Sequence, residues 1–222
     1  MVPHAFERLS PATQEAMATV GRLHKIEAGG YLFHEGDRAD AVHVVQTGLL
    51  RVERNLVSGR RVLLTLVGPG GYMGELGAFD NSPRSATAAA VLDTELLTIT
   101  RADFVDQIDR HSDLARDLLM RAAARTRTLT EQLLEAAAGT AAARVAARLV
   151  ELVEMLQPDS DPPIVIQLPI TQEELAQWAG LSREGAVGGL RELRNAGVID
   201  TGRMRITIVE PVGLRRWAAE LL

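Results

Sequence analysis

Between Gly21 and Thr100 the apolar positions come in short runs rich in branched and aromatic residues. The runs are Tyr31-Leu32-Phe33, Ala41–Gln46, Leu49–Val52, Arg61–Val67 and Thr94–Ile99. Gly29-Gly30, Gly36-Asp37, Gly48, Ser58-Gly59 and Gly68–Gly71 punctuate them. Short strands with a turn signal about every ten residues predict a small antiparallel barrel or jelly roll. Pro11–Val20 reads as a short helix ahead of it.

The texture changes at Arg101. Glycine disappears until Gly139, and alanine, leucine and arginine, all good helix formers, take over. Leu114, Leu118, Ala122, Leu129, Leu133 and Ala136 recur at spacings of three, four and seven, an apolar stripe on one face of a long helix. Such a stripe packs either on its own barrel or on its twin in a homodimer. Its length, and the separate core of the β region, favour the twin. Gly139 stops the helix and Thr140 caps the next, which runs through Val145, Leu149, Val153 and Leu156. Gln157–Pro163 then forms a loop. The expected architecture is α+β: a β jelly roll over 1–107, a long dimerisation helix over 108–139 and a winged helix-turn-helix over 140–222.

The last part rests on local signals. Thr171-Gln172-Glu173-Glu174 is a capping box, with Leu175 and Trp178 facing inward. Gly180 supplies a positive-φ turn position, Ser182 is a second N-cap, and Arg183–Asn195 reads as a helix with Ala186, Leu190 and Leu193 inward. Helix, short glycine turn, helix is the helix-turn-helix pattern. An ordinary helical hairpin has the same spacing. A β-hairpin wing, Val198–Asp200 and Met204–Val209 around Thr201-Gly202-Arg203, and local positive charge favour the DNA-binding reading.

Composition narrows the classes. The chain has 222 residues, 46% hydrophobic and 24% charged, enough for one large domain or two small ones. No apolar run approaches the ~18 residues of a membrane span, and Met1–Ser10 lacks a signal-peptide pattern, so a cytoplasmic protein without membrane contact is expected. There is no cysteine, which removes disulfides, thiolate metal sites, cysteine-ligated iron–sulfur clusters and cysteine nucleophiles. Net charge is -5, with Lys25 the only lysine. Residues 140–222 carry 9 arginines and 11 acids, but 183–216 carry 7 arginines and 4 acids, a net +3. A polyanion would meet that stretch. Arg183 can bond O6 and N7 of a guanine and Glu184 can accept from a cytosine amine, whereas Arg191, Arg194, Arg203 and Arg205 suit phosphates.

A second constellation joins Gly74-Glu75-Leu76-Gly77 to Pro83-Arg84-Ser85-Ala86-Thr87. Each string is weak alone; together, inside a glycine-punctuated β region, they suit a phosphorylated sugar. Arg84 offers charge-assisted hydrogen bonds to a phosphate, Ser85 and nearby N–H groups complete the cradle, and Glu75, a pure acceptor, suits a ribose hydroxyl. The bland account is that Glu75 and Arg84 pair with each other. No nucleophile–base pair, metal cluster or Walker-type loop is present in the sequence, and an enzyme is not expected.

Jelly roll, long helix, helix-turn-helix and wing, with these two motifs and Ser182-Arg183-Glu184, resemble the Crp/Fnr family of bacterial transcription regulators over about Gly21–Val209. The resemblance implies a phosphate-binding cassette in which Glu75 holds the ribose 2′-hydroxyl, Arg84 and Ser85 hold a cyclic phosphate, and Gly74 and Leu76 help through their backbone. It implies cAMP as allosteric ligand, with cGMP as the alternative, and no metal, haem or iron–sulfur cluster. In cAMP receptor proteins hydroxyl residues of the long helix reach the base. Those positions fall near Leu129 and on Thr130, with Thr126 and Thr128 as other candidates; Leu129 departs by carrying an alkyl group. His4, His24, His34, His43 and His111 show no ligand spacing. The implied DNA contacts are Thr171, Ser182, Arg183, Glu184, Gly188 and Arg203. At Gly188 the family's cAMP members have a second arginine; Gly185, Gly188 and Gly189 all lie in this helix, each costing about 1 kcal/mol relative to alanine. The implied partners are a second copy of the chain, double-stranded DNA with a two-fold symmetric operator, and RNA polymerase. Two other readings stay open: the same fold binding DNA without cyclic nucleotide or with another ligand, and a nucleotide-binding module with weakened DNA binding.

Overall fold

The computed structural model describes residues 11–57, 59, 61–157, 161–202 and 204–219. These form two compact units that meet within one helix, between Thr126 and Arg127.

In the first unit α1 (Pro11–Ala18) leads into β1 (Arg22–Ile26), β2 (Tyr31–Phe33), β3 (Ala41–Asn55), β4 (Arg61–Val67) and β5 (Tyr72–Met73). Then come α2 (Glu75–Asp80), β6 (Thr87–Thr100), α3 (Arg101–Arg110) and the start of α4 (Ser112–Ala138). All pairings are antiparallel: β6 lies between β1 and β3 and also pairs β2, while β3 also pairs β4 and β5.

The two strands expected around Gly48 are one strand, β3. Gly48 is not a turn but an irregularity within it, at φ +90, where an added Cβ would lie 2.3 Å from the Asp93 carbonyl oxygen. Only glycine lets the strand bend there without breaking its pairing with β6. Val45, Leu50, Val67 and Leu96 pack into one apolar cluster, and Val42, Val44 and Ile99 with Phe104 of α3 into another.

The helical texture from Arg101 is two helices rather than one. α3 is N-capped by Thr100, whose hydroxyl accepts from the Asp103 N–H, and ends at His111 in an extended conformation. No glycine or proline marks this break; burial of Phe104 on one side and of Leu114 and Leu118 on the other sets it. Leu114 and Leu118 join the barrel core with Met17 and Val42, so the first part of the stripe packs on its own barrel. Leu129 and Leu133 are exposed in the single chain.

The second unit continues α4 and adds α5 (Ala141–Leu156), β7 (Ile164–Gln167), α6 (Gln172–Trp178), α7 (Arg183–Asn195), β8 (Ile199–Gly202), β9 (Arg205–Ile208) and α8 (Pro211–Ala219). The Thr140 hydroxyl accepts from the Ala143 N–H and starts α5, which buries Val145, Leu149 and Leu152 against α7 and α8. β7 and α8 are additions to the expected winged unit. β7 pairs β9, making the wing the edge of a three-stranded sheet in the order β7-β9-β8.

Two of the three glycines of α7 differ in packing. A Cβ on Gly189 would lie 2.7 Å from the Ala141 carbonyl oxygen, so glycine lets α7 approach the start of α5. A Cβ on Gly188 would meet nothing within 4 Å. The two should therefore respond with opposite sign. Gly189→Ala is expected to destabilise the chain by about 1–3 kcal/mol through overpacking. Gly188→Ala should stabilise it by roughly 0.5–1 kcal/mol by restricting the unfolded backbone. Urea unfolding followed by circular dichroism reads both signs.

Candidate functional site

In the first unit the two motifs lie side by side. A concavity opens between Gly74–Gly77 and Pro83–Ala86, with Phe33 and Arg125 at its sides. Gly74 sits at φ +90 immediately before α2, with no side-chain cap on the helix start. A Cβ there would lie 2.1 Å from Nη1 of Arg84 and 2.8 Å from the Ala41 carbonyl oxygen, so glycine is required for the arginine to pass.

Arg84 is held at both ends. Its N–H donates to the Asp37 carbonyl and its own carbonyl accepts from the Gly36 N–H. The side chain is only 3% exposed. Nη2 donates to the Ala41 carbonyl (2.8 Å), Nη1 reaches the Gly74 carbonyl (3.4 Å), and the guanidinium lies 4.2 Å from the Phe33 ring centroid. Asp40 approaches at 3.8 Å, and Nε has no hydrogen-bond partner among the described residues. Burial pulls Arg84 below the ordinary arginine value, opposed by Asp40, Asp37 and Glu75; the group stays cationic.

His43 backs this arginine. Its Nε2 is 3.4 Å from Nη2 of Arg84 and its Nδ1 is 3.0 Å from the Thr98 hydroxyl. An arginine only donates, so Nε2 is the acceptor and Nδ1 carries the proton toward Thr98. Burial, then the Arg84 charge, then His24, push His43 down to about 3.

Glu75, the first residue of α2, is buried and does not pair with Arg84. Its partner is Arg125 of α4, with Nη1 donating to Oε1 at 2.9 Å. Tyr72 beside it is pushed up to about 12, by burial and then by the Glu75 charge. Leu76 and Ser85 are exposed at the concavity. Leu129 is 53% exposed on α4 and Thr130 is exposed next to it, both in the second unit. Thr126 bonds back to the Ala122 carbonyl, and Thr128 is buried. The sequence reading placed none of Arg125, His43 and Phe33 at the site, because none lies near the motifs in the chain.

In the second unit the helix-turn-helix is locally built. The Thr171–Glu174 capping box is complete, and the Ser182 hydroxyl accepts from the Gly185 N–H. Gly180 takes φ +63. Arg144 of α5, another contact the sequence reading missed, closes the turn by donating from Nε to the Ala179 carbonyl (2.9 Å) and from Nη2 to the Gly180 carbonyl (2.5 Å). Arg183, Glu184, Arg191 and Arg194 are exposed, with no ion pair among the described residues. Arg183, Glu184 and Gly188 share one shallow concavity with Arg191. Arg203 lies outside the described residues. No group of His, Asp or Glu among the described residues could hold a metal ion, and no described helix is long and apolar enough to cross a membrane.

Comparison with known proteins agrees with this division. A cyclic nucleotide-binding domain model matches residues 23–111, and a Crp-like helix-turn-helix domain model matches residues 143–217. The chain is 32% identical to a cyclic AMP receptor protein of Thermus thermophilus, over 92% of both chains. It is 26% identical to a CRP-like cAMP-activated global transcriptional regulator of Mycobacterium tuberculosis, over 96% of this chain and 95% of that one. A solved CRP/FNR-family transcriptional regulator from Thermus thermophilus superposes with a TM-score of 0.74 at 26% identity, covering 89% of this chain and 98% of that one.

The buried imidazole has a measurable consequence. Unfolded, His43 titrates near its ordinary 6.5; folded, near 3. Below pH 6.5 the unfolded chain binds a proton that the native chain refuses, so stability falls as pH drops toward 3, by up to about 1.4 kcal/mol per pH unit. His43→Gln, which keeps an acceptor but does not titrate, should flatten this acid limb. Urea unfolding of both proteins between pH 6.5 and 5 checks it; equal slopes would contradict the buried neutral histidine.

Proposed function

The chain belongs to the Crp/Fnr family of transcriptional regulators, and on that premise we propose that its operator affinity is controlled by a cyclic nucleotide, cAMP in the first place. That it carries a cyclic nucleotide-binding domain and a Crp-like DNA-binding domain follows from the matched models. The ligand, the site roles and the switching are our reading. The observation that carries it is the cassette geometry: Arg84 and Ser85 on one side of the concavity, Glu75 and the uncapped start of α2 on the other.

In this reading the cyclic phosphate meets Arg84 and the Ser85 hydroxyl, with backbone N–H groups near Gly74 and Leu76 as further donors. Glu75 accepts from the ribose 2′-hydroxyl while keeping its ion pair with Arg125. The ligand thereby touches a carboxylate already tied to α4. A ligand shifts a conformational equilibrium only by its differential affinity for the two states. The element it biases here is α4 with its interruption at Gly139-Thr140. Leu129 and Thr130 are the candidate base contacts, and the alkyl side chain of Leu129 gives cAMP no hydrogen bond. The exposed Leu129 and Leu133 support a homodimer through α4.

The dimer presents two α7 helices to successive major grooves, roughly 34 Å apart on a two-fold symmetric operator. Arg183 and Glu184 read bases there, Thr171 and Ser182 are assigned to the DNA backbone, Arg203, outside the described residues, is assigned to a phosphate by its charge, and Gly188 reads nothing. The chain acts in the cytoplasm and addresses RNA polymerase from the operator.

Two experiments test this. Calorimetric titration with cAMP, and with cGMP as control, should give one micromolar site per chain, and Arg84→Ala should abolish it with the circular dichroism spectrum unchanged. Heat from neither nucleotide, or full affinity in Arg84→Ala, would sink the cassette roles. In gel-shift assays the nucleotide should strengthen operator binding. Arg183→Ala should cost about 1–3 kcal/mol on the operator but little on random DNA, compressing the specificity ratio; an unchanged ratio would show that another residue reads the base.

A further inference from the structure

One apolar side chain of α7 is left outside the core. Ala186, Leu190 and Leu193 are buried, whereas Val187 is 45% exposed. It lines the same shallow concavity as Arg183, Glu184, Gly188 and Arg191. One turn separates it from each of the two arginines along the helix. Its orientation is fixed from both ends of α7. The Ser182 cap starts the helix, and Gly189 seats it against Ala141 with no room for a Cβ.

The neighbouring glycine matters for what Val187 can touch. Gly188 is not demanded by packing, since a Cβ there would meet nothing within 4 Å. Its effect on this face is to leave the valine methyls clear of any adjoining side chain at that position. An isolated exposed valine on a protein surface needs no explanation. A valine between Arg183 and Arg191, which have no ion pair among the described residues, on the face of a helix expected to enter a groove, is a different case, because those cations fix what approaches it. Among the base edges of the major groove the thymine C5-methyl is the apolar group.

Resting on the DNA-binding reading above, we propose that Val187 determines operator specificity by packing on a thymine methyl, beside the base pair that Arg183 reads. The contact is methyl against methyl and involves no hydrogen bond. It supplies discrimination at a position where neither charge nor Gly188 offers any.

The test uses the full chain with cAMP. Operators are selected from a random-sequence duplex library, and each thymine of the selected half-site is then replaced in turn by deoxyuridine, which lacks only the methyl. The wild-type chain should lose about fourfold in affinity at one position per half-site, the value of one buried methyl group. Val187→Ser, an exposed change that leaves the core intact, should bind the thymine and uracil operators equally. Wild-type losses below twofold at every thymine, an equal loss in Val187→Ser, or a selected half-site without thymine would each overturn the proposal. Failure to retain any DNA would overturn the DNA-binding reading itself, and this proposal with it.

Discussion

A guanidinium buried in the wall of a β-barrel is the constraint around which the first unit is arranged. Moving an isolated cation out of water is expensive unless polar groups replace its hydration. Arg84 obtains them from the Ala41 and Gly74 carbonyls, from the neutral imidazole of His43 and from the face of Phe33. The partners come from three parts of the chain: Phe33 on β2, Ala41 and His43 on β3, and Gly74 before α2. Gly74 must lack a Cβ for the arginine to reach them, and Thr98 must hold the imidazole so that it accepts. The guanidinium is thus held in one place by the fold itself, and in the proposed function little of its freedom would be lost on meeting a phosphate.

The second unit rests on a close approach instead of a charge. α7 can lie on the start of α5 only because Gly189 has no side chain, and Arg144 from α5 then caps the turn between α6 and α7 through two carbonyls. Deeper in the same unit Arg148 bonds Glu135 of α4 and Glu151 of α5, each at 3.0 Å, with its guanidinium 5.6 Å from the Trp178 ring centroid. That cluster fastens the last turns of α4 to α5 and α6. Losing one member of such a buried pair would strand a charge, and the pair Arg148–Glu135 spans the interruption at Gly139-Thr140.

α4 is the element both units share. In the first unit it supplies Arg125 to Glu75; in the second it supplies Glu135 to Arg148. A carboxylate at the ligand cassette and a cation beneath the helix-turn-helix are therefore each tied to one continuous helix. In the proposed function, α4 is accordingly the element on which a ligand at Glu75 would act.

Local chemistry was legible along the chain wherever the interaction is local. The capping box at Thr171, the caps at Thr140 and Ser182, the positive φ at Gly180 and the inward Leu175, Leu190 and Leu193 all depend on neighbours within a turn or two, and sequence periodicity reports such neighbours. The pairing of Gly74-Glu75 with Arg84-Ser85 was legible because a resemblance links the two strings. Other features required the folded chain. Gly48 was read as a turn because a bulge and a turn ask for the same backbone angle, and only the pairing of β3 with β6 distinguishes them. The break at His111 has no glycine or proline to announce it. The partners of Glu75 and Arg84, namely Arg125, His43 and Phe33, lie 41 to 51 positions away in the chain and show no pattern among themselves. The sequence by itself determined the order of a β-rich unit, a long helix and a helix-turn-helix with its wing, and which residues bring charge to the two candidate sites. Tertiary structure decided which charges meet, because burial and distance depend on chain segments whose separation leaves no periodic trace.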